Sequence, residues 1–414
     1  MSTGTPPLFR PLGRRFWTVW TATTSSNIGD GIVLAAIPLL AASLTRDPMA
    51  VAATTIAVRL PWLVFGLFAG VIVDRTDRLK LMISTDIGRA FVFVGITVVV
   101  ATGNVTLTIL YLAVFVAGLL ETLFDTSAMS MTPALVDSDQ FEHANARLNG
   151  AHIAANEFVG PLLGAALFAV AAALPFGVDA VTFAVSAVIL LTVGGRYRPV
   201  QVEKPSVVGD IKAGFGFLWR EHVIRAFAIG AGAINLGYAA AASVLVLHAQ
   251  DNLSLDELGF GILLASAAVG GVAGAQLAPR TINRFGRRTS VLTSVVVVAV
   301  GIAIMGAASN LWPAAIGFAL FGFAGEIWNI VSVTYRQSVT PDVMLGRVMS
   351  GFRVIAYGAF PIGAALGGLI ASTVGLRAAF VFGASVVAAL LPFMIYVTNR
   401  HTLDPAPHPP GTTA

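Results

Sequence analysis

The sequence predicts an all-α membrane protein of about twelve transmembrane helices in two six-helix halves, and three observations carry that prediction. Of 414 residues, 56% are apolar and only 11% are charged, whereas a soluble domain carries roughly 25% charge. A water-exposed surface cannot be built from that composition. The apolar residues fill whole stretches of about 20, such as Val105 to Leu120 and Val291 to Ala308, long enough to cross roughly 30 Å of hydrocarbon at about 1.5 Å per residue. The 25 Lys and Arg are also unevenly placed: 19 fall in loops on the side of the N-terminus, two (Arg46 and Arg377) on the other side, and four (Arg59, Arg89, Arg225 and Arg353) within spans.

The first apolar run follows Pro6, Pro7, Arg10, Arg14 and Arg15 and extends to Leu44 with no small-residue cleavage pattern, so it reads as a retained span and not a signal peptide. The spans then fall at roughly 16–44, 49–73, 80–102, 105–128, 146–171, 174–194, 222–248, 257–279, 289–308, 311–335, 347–373 and 376–397. An even number returns the chain to its starting side. The basic excess on that side places both termini in the cytoplasm.

The longest interior loop, 196–221, holds Arg198, Glu203, Lys204, Pro205 and Lys212. Val208, Ile211, Phe215, Leu218 and Trp219 recur in it at helical spacing, predicting a short amphipathic helix on the membrane surface. The expected domains are therefore a bundle at 1–195, this linker at 196–221, a second bundle at 222–400 and a tail at 401–414, where Pro405, Pro407, Pro409 and Pro410 predict disorder. The halves echo each other. Both carry an Arg-rich turn after their second span, Asp74 to Lys80 and Arg280 to Arg288, and both place Pro fourteen residues after Arg, at Arg147 and Pro161 and at Arg347 and Pro361. Such internal symmetry is a recurrent transporter plan with the ligand near the midplane.

Several functions are excluded. None of Lys80, Lys204 and Lys212 follows a Gly, so there is no phosphate-cradling loop for ATP hydrolysis. The six His show no His-Glu-x-x-His spacing and no Gly-x-Ser-x-Gly elbow occurs, which leaves peptidase and hydrolase readings without support. Cysteine is absent, so thiolate metal sites are impossible, and no metal or cofactor is expected. The net charge of +4 lies in short loops between apolar runs and does not indicate nucleic acid.

A charge inside a span costs at least about 2.5 kcal/mol, so intramembrane ionisable residues are functional candidates. Asp30, Glu121, Glu157 and Glu326 are the acids well inside spans. A carboxylate that is alternately hydrated and dried can load and release a proton. Glu121 and Glu326 lie 16 and 15 residues from the starts of similarly directed helices, a depth of about 22–24 Å. Asp30 is 14 residues from either end of span one and Arg59 is 10 from the outer end of span two, a difference of about 6 Å along the normal. An ion pair between them is within reach, either as a working pair or as a permanent one holding adjacent helices.

Asp86 and Arg89 share a helical face at i, i+3 and can pair. Arg225 and Arg353 lie in the first turns of spans seven and eleven, where snorkelling is the expected behaviour. Gly160 and Pro161 remove bulk and a backbone donor inside span five, permitting a bend or a tight helix contact. Tyr238, Phe321, Phe323, Trp328 and Tyr335 are available to line an apolar or aromatic pocket or to pack.

The turn Gly70-Val71-Ile72-Val73-Asp74-Arg75-Thr76-Asp77-Arg78-Leu79-Lys80 resembles the Gly-x-x-x-Asp-Arg-x-Gly-Arg-Arg signature of the major facilitator superfamily. Asp77 stands where the second Gly is usual, similar to the bacterial exporters that include enterobactin and macrolide efflux proteins. Asn27-Ile28-Gly29-Asp30-Gly31 with Pro38, and Arg59-Leu60-Pro61, resemble the same subgroup. Gly160-Pro161-Leu162-Leu163-Gly164 is similar to the Gly-Pro-x-x-Gly signature of proton-coupled antiporters, with Ala165 where a further Gly is usual.

The resemblance implies two pseudo-symmetric six-helix bundles with spans one, four, seven and ten lining a central cavity, which puts Asp30, Glu121 and Glu326 on cavity helices. It implies a secondary transporter, proton-coupled, that exports a small amphipathic compound such as a drug, antibiotic or siderophore by alternating access. It also implies a gate in which Asp74 sits at the N-terminus of span eleven near Arg347, with Arg75 and Arg78 pairing with acids such as Asp86, Asp125 or Asp137. Two rival functions are a lipid or lysolipid translocator that needs no proton, and a non-transporting receptor or assembly partner acting through 196–221. One chain supplies both halves, so a monomer is expected, with solute, protons and membrane lipid as its partners.

Overall fold

The computed structural model describes residues 11–198 and 207–404. The Pro6, Pro7 and Arg10 segment, Glu203 to Pro205 and the proline-rich tail lie outside them. Among the described residues there are helices and turns but no strands. In the first half α1 (Arg14–Leu44), α2 (Pro48–Val73), α3 (Arg78–Ala101) and α4 (Leu107–Met131) are single spans, and α7 (Leu174–Leu191) is the sixth.

Between α4 and α7 the fifth span is composite. It starts as α5 (Phe141–His152), widens into a π-helical stretch over Ile153–Val159, and ends as α6 (Gly160–Val170). Pro161 has no N–H to return to the carbonyl four residues back. The chain meets that gap with the wide register, a device frequent at functional sites.

In the second half α8 (Val207–Arg220) precedes α9 (His222–Ala242), the short α10 (Leu245–Asp251), α11 (Glu257–Ala307), α12 (Leu311–Val339), α13 (Asp342–Thr373) and α14 (Leu376–Arg400). Among the described residues eleven helices are long and apolar enough to cross a membrane. The 51-residue α11 counts as two spans, because Gly286 inside it has φ 79° and ψ 160°, a conformation that glycine alone adopts without strain. Twelve spans result.

The chain forms two compact units that divide between 198 and 207, with two short exchanges: Arg46–Ile56 belongs to the second unit and Glu257–Ala265 to the first. In the first unit Val19, Ala22, Leu79, Met82, Phe124, Met131 and Leu190 form a buried cluster that ties α1, α3, α4 and α7 together. Lipid is as apolar as these side chains, so what holds the helices is close fit and buried polar contact.

In the second unit α8 does more than lie on a surface. Leu218 is fully buried while Trp219 is half exposed, and a β-carbon on Gly214 would lie 2.5 Å from the Arg347 carbonyl carbon of α13. This helix is therefore seated against α13.

Candidate functional site

Among the described residues of the first unit the most heavily buried cation is Arg89, with 1% of its side chain exposed. Its Nη1 donates to both Asp30 oxygens, at 3.2 and 3.3 Å. Its Nη2 donates to Ser26 Oγ at 2.8 Å and to Asp86 Oδ1 at 2.5 Å. The guanidinium carbon lies 4.6 Å from the Phe124 ring centre and 4.1 Å from that of Phe183. Planar delocalised charge suits both the fork and the aromatic contacts, and lysine could supply neither.

Further acids approach the same guanidinium. Glu121 and Asp125, one turn apart on α4, are near enough for their charges to act on Arg89 and Asp30. Asp179 on α7 acts on Asp30 as well. Its Oδ1 accepts from Thr182 Oγ1 at 3.2 Å. One oxygen each of Asp86 and Asp179 is buried with no partner among the described residues. Carboxylates from α1, α3, α4 and α7 thus surround one cation, and their number exceeds its charge. Removing such an excess from water is costly unless protons or another cation accompany it.

Glycines make the cage possible. A β-carbon on Gly29 would run into the Asp179 carboxylate and the Thr182 hydroxyl, so α1 and α7 close around that acid only because Gly29 has no side chain. On the opposite face of α1, Gly31 meets the fifth span, where a β-carbon would lie 2.6 Å from the Asn156 carbonyl oxygen. Gly164 packs in the same way on the backbone of Ile32. The Asn27 to Gly31 segment and the Gly160-Pro161-x-x-Gly164 segment are two sides of one interface.

Two expectations change. The guanidinium that Asp30 meets is that of Arg89, while Arg59 is exposed on α2. Counting residues from helix ends fixes depth but not the direction in which a side chain points. Glu157, on the π-helical stretch, is 49% exposed and lies 4.0 Å from His152 Nε2, outside the cage. Asp86 and Arg89 pair as their i, i+3 spacing allows, inside the cage. Glu326 is half-buried on α12 of the second unit. Asp179 was not among the acids singled out from the sequence, although the same rule, an acid inside an apolar run, finds it.

The signature turn has its own geometry. Asp77 caps α3, its Oδ1 accepting from the Lys80 N–H at 3.3 Å, and its Oδ2 accepts from the Tyr197 N–H at 3.2 Å. Arg78 donates through Nη1 to the Ser130 carbonyl at 2.7 Å instead of meeting Asp86, Asp125 or Asp137. Asp74 and Arg75 are exposed, with no side-chain partner among the described residues. Gly70 has no atom of its own bundle within 4 Å of where a β-carbon would be. In the second unit Tyr238 stacks on Phe321 at 4.4 Å, while Trp328 and Tyr335 gather around Phe227 at 5.4 and 5.9 Å.

A family profile described as transmembrane secretion effector matches residues 6–408. The multidrug efflux pump Tap of Mycolicibacterium fortuitum is 26% identical over 405 residues, covering 94% of this chain and 97% of its own. The enterobactin exporter EntS of Citrobacter koseri is 25% identical over 399 residues, covering 96% and 95%. Among solved structures, a variant of the nucleoside transporter NupG superposes with TM-score 0.75 at 12% identity, over 93% of this chain and all of that one. A bacterial homologue of the iron transporter ferroportin does so with TM-score 0.73 at 18% identity, over 94% and 100%.

Proposed function

The chain belongs to the transmembrane secretion effector family of major facilitator transporters, and from that premise we propose that it is a proton-coupled antiporter exporting a small amphipathic compound. The observation that carries this reading is the carboxylate cage on α1, α3, α4 and α7 around Arg89. Asp30 has 15% of its side chain exposed and Asp86 none. Asp30 is therefore the partner that water and protons reach, and Asp86 the anchor.

A proton on Asp30 cancels one of the two charges that hold the guanidinium, leaving Arg89 on Asp86 and Ser26. The balance of contacts that positions α1 against α3 then shifts, and α1 leans on the fifth span through Gly31 and Gly160. Loading and unloading Asp30 from opposite sides of the membrane converts a proton gradient into alternation between two conformations. Glu121 and Glu326 supply further carboxylates for the proton or solute. Asp74, Arg75 and Arg78 form the gate at one membrane face, with both termini on the cytoplasmic side of a bacterial inner membrane. The names of the relatives, a multidrug pump and a siderophore exporter, support an amphipathic cargo and the outward direction.

The test is efflux from proteoliposomes under an imposed pH gradient. The single variant Asp30→Asn and the triple variant Asp30→Asn, Glu121→Gln, Glu326→Gln should fold and lose gradient-driven efflux. Intact gradient-driven efflux in the triple variant would overturn coupling through these acids.

A further inference from the structure

In the second unit α12 carries a ridge of buried donors without acceptors. Trp328 Nε1, Ser332 Oγ, Arg336 Nε and Nη1, and Thr340 Oγ1 have no hydrogen-bond partner among the described residues. Trp328, Ser332 and Arg336 follow one i, i+4 ridge of α12, and Thr340 is the extended residue that ends the helix. From Trp328 to Arg336 the ridge is about 12 Å long. All four side chains are buried, Arg336 with 3% exposed, although a boundary near residue 335 had left Arg336 in a loop. Hydroxyls elsewhere in this unit satisfy themselves on the carbonyl four residues back, as Ser350 and Thr398 do. Ser332 and Thr340 do not.

Arg336 differs from Arg89 in one decisive respect. Arg89 is held by two carboxylates. Among the described residues, the ionisable groups that act most strongly on Arg336 are Tyr357 and another cation, Arg353, both on α13. Its guanidinium carbon lies 3.4 Å from the Phe352 ring centre, a contact that does not replace a counter-charge. A buried charge left uncompensated is strongly unfavourable. Glu326, ten residues earlier, is about 15 Å away along the axis. Indole and guanidinium can only donate, so what completes the ridge must accept hydrogen bonds and carry negative charge. Aromatic side chains, Phe227, Tyr335 and Phe352, flank it.

We infer that this ridge binds the anionic oxygen group, carboxylate or phosphate, of an amphipathic molecule whose apolar part rests on the neighbouring aromatic rings. Arg336 takes the charge, and Ser332 and Thr340, four residues to either side of it, donate to the same group. This deepens the transport reading by giving the cargo, or a bound lipid, a chemical class.

The experiment measures equilibrium binding to the full chain in phosphatidylcholine nanodiscs, with no gradient, so the result does not depend on whether transport is proton-coupled. Three probes share a pyrene ring: pyrenebutyrate, pyrenebutanol and pyrenebutyl-trimethylammonium. The wild type should bind the carboxylate about tenfold or more tightly than the alcohol, the scale of one charge-assisted hydrogen-bonded contact. Arg336→Met should erase that preference and leave alcohol binding unchanged, and Arg336→Lys should keep part of it. If Arg336→Met does not fold, the paired change Ser332→Ala, Thr340→Val should still weaken the carboxylate probe selectively. Replacing part of the lipid with phosphatidylglycerol separates the two sources: competition assigns the site to a lipid phosphate, and its absence to the solute. Equal binding of all three probes by the wild type, or an undiminished preference in folded Arg336→Met, overturns the inference.

Discussion

Gly31 on α1 and Gly160 at the start of α6 meet backbone to backbone: a β-carbon on Gly160 would lie 2.6 Å from the Gly31 carbonyl carbon. The residue preceding Gly31 is Asp30, which Arg89 holds from the other side of α1. One turn of helix is thus clamped between an ion pair and a glycine seam.

Gly160→Ala forces that seam open, and backbone on both sides leaves little room to relax. Overpacking of this kind costs about 1–3 kcal/mol. The variant should show a lower midpoint of thermal unfolding in detergent and slower efflux. Gly150→Ala, where nothing lies within 4 Å, should match the wild type in both measurements. Equal midpoints for Gly160→Ala and the wild type would mean the seam is slack.

Asp30 and Asp86 share one guanidinium but differ in their access to water, and their variants should differ accordingly. Removing one partner of a buried ion pair costs about 3–5 kcal/mol, and Asp86 is the one with no exposed surface. Asp86→Asn should therefore lower thermal stability and membrane yield more than Asp30→Asn, which should remain folded while losing gradient-driven efflux. The reverse order of stabilities would assign the anchoring role to Asp30.

Asp77→Ala removes the α3 cap and the tie to the Tyr197 N–H together. Loss of a capping side chain costs about 0.5–2 kcal/mol. Asp77→Asn keeps an acceptor oxygen for the cap and should recover much of the loss, whereas Asp77→Gly, which restores the commoner signature residue, should not recover the Tyr197 contact. Comparison of the three thermal midpoints checks this. If Asp77→Gly equals the wild type, the contacts of the carboxylate contribute nothing to stability.

The twelve spans were readable in the sequence because a bilayer demands whole apolar runs and short loops, a constraint that hardly depends on tertiary detail. Membership of Asp30 in a charged site was readable for the same reason. Its partner was not. Arg59 and Arg89 both lie inside spans, and choosing between them needs the rotation of α2 and α3 about their axes, which apolar composition leaves unmarked. The π-helical stretch at Ile153–Val159 has no residue pattern of its own, so the outward turn of Glu157 was hidden too. Asp77 was visible as a departure from a signature, but its reason, a cap joined to a contact 120 residues away, exists only in the folded bundle. Arg336 was misplaced because hydropathy ended its span four residues before the helix ends at Val339, and a buried arginine looks like a loop arginine to any count of charges.

Glu157 and Glu121 separate two ideas that the sequence alone merges, namely that an acid within a span is functional and that an acid within the Arg89 cage is. Glu157 is half exposed beside an equally exposed His152, and an accessible pair of this kind contributes about 0–1 kcal/mol. Glu157→Gln should therefore leave both stability and gradient-driven efflux close to wild type. Glu121→Gln changes a group whose charge acts on Asp30 and Arg89, and should reduce gradient-driven efflux roughly tenfold, the scale of a typical coupling free energy, while leaving binding of a neutral probe intact. Both variants are measured in the same proteoliposome assay. A large defect in Glu157→Gln with none in Glu121→Gln would move proton handling out of the cage and onto the π-helical stretch of the fifth span.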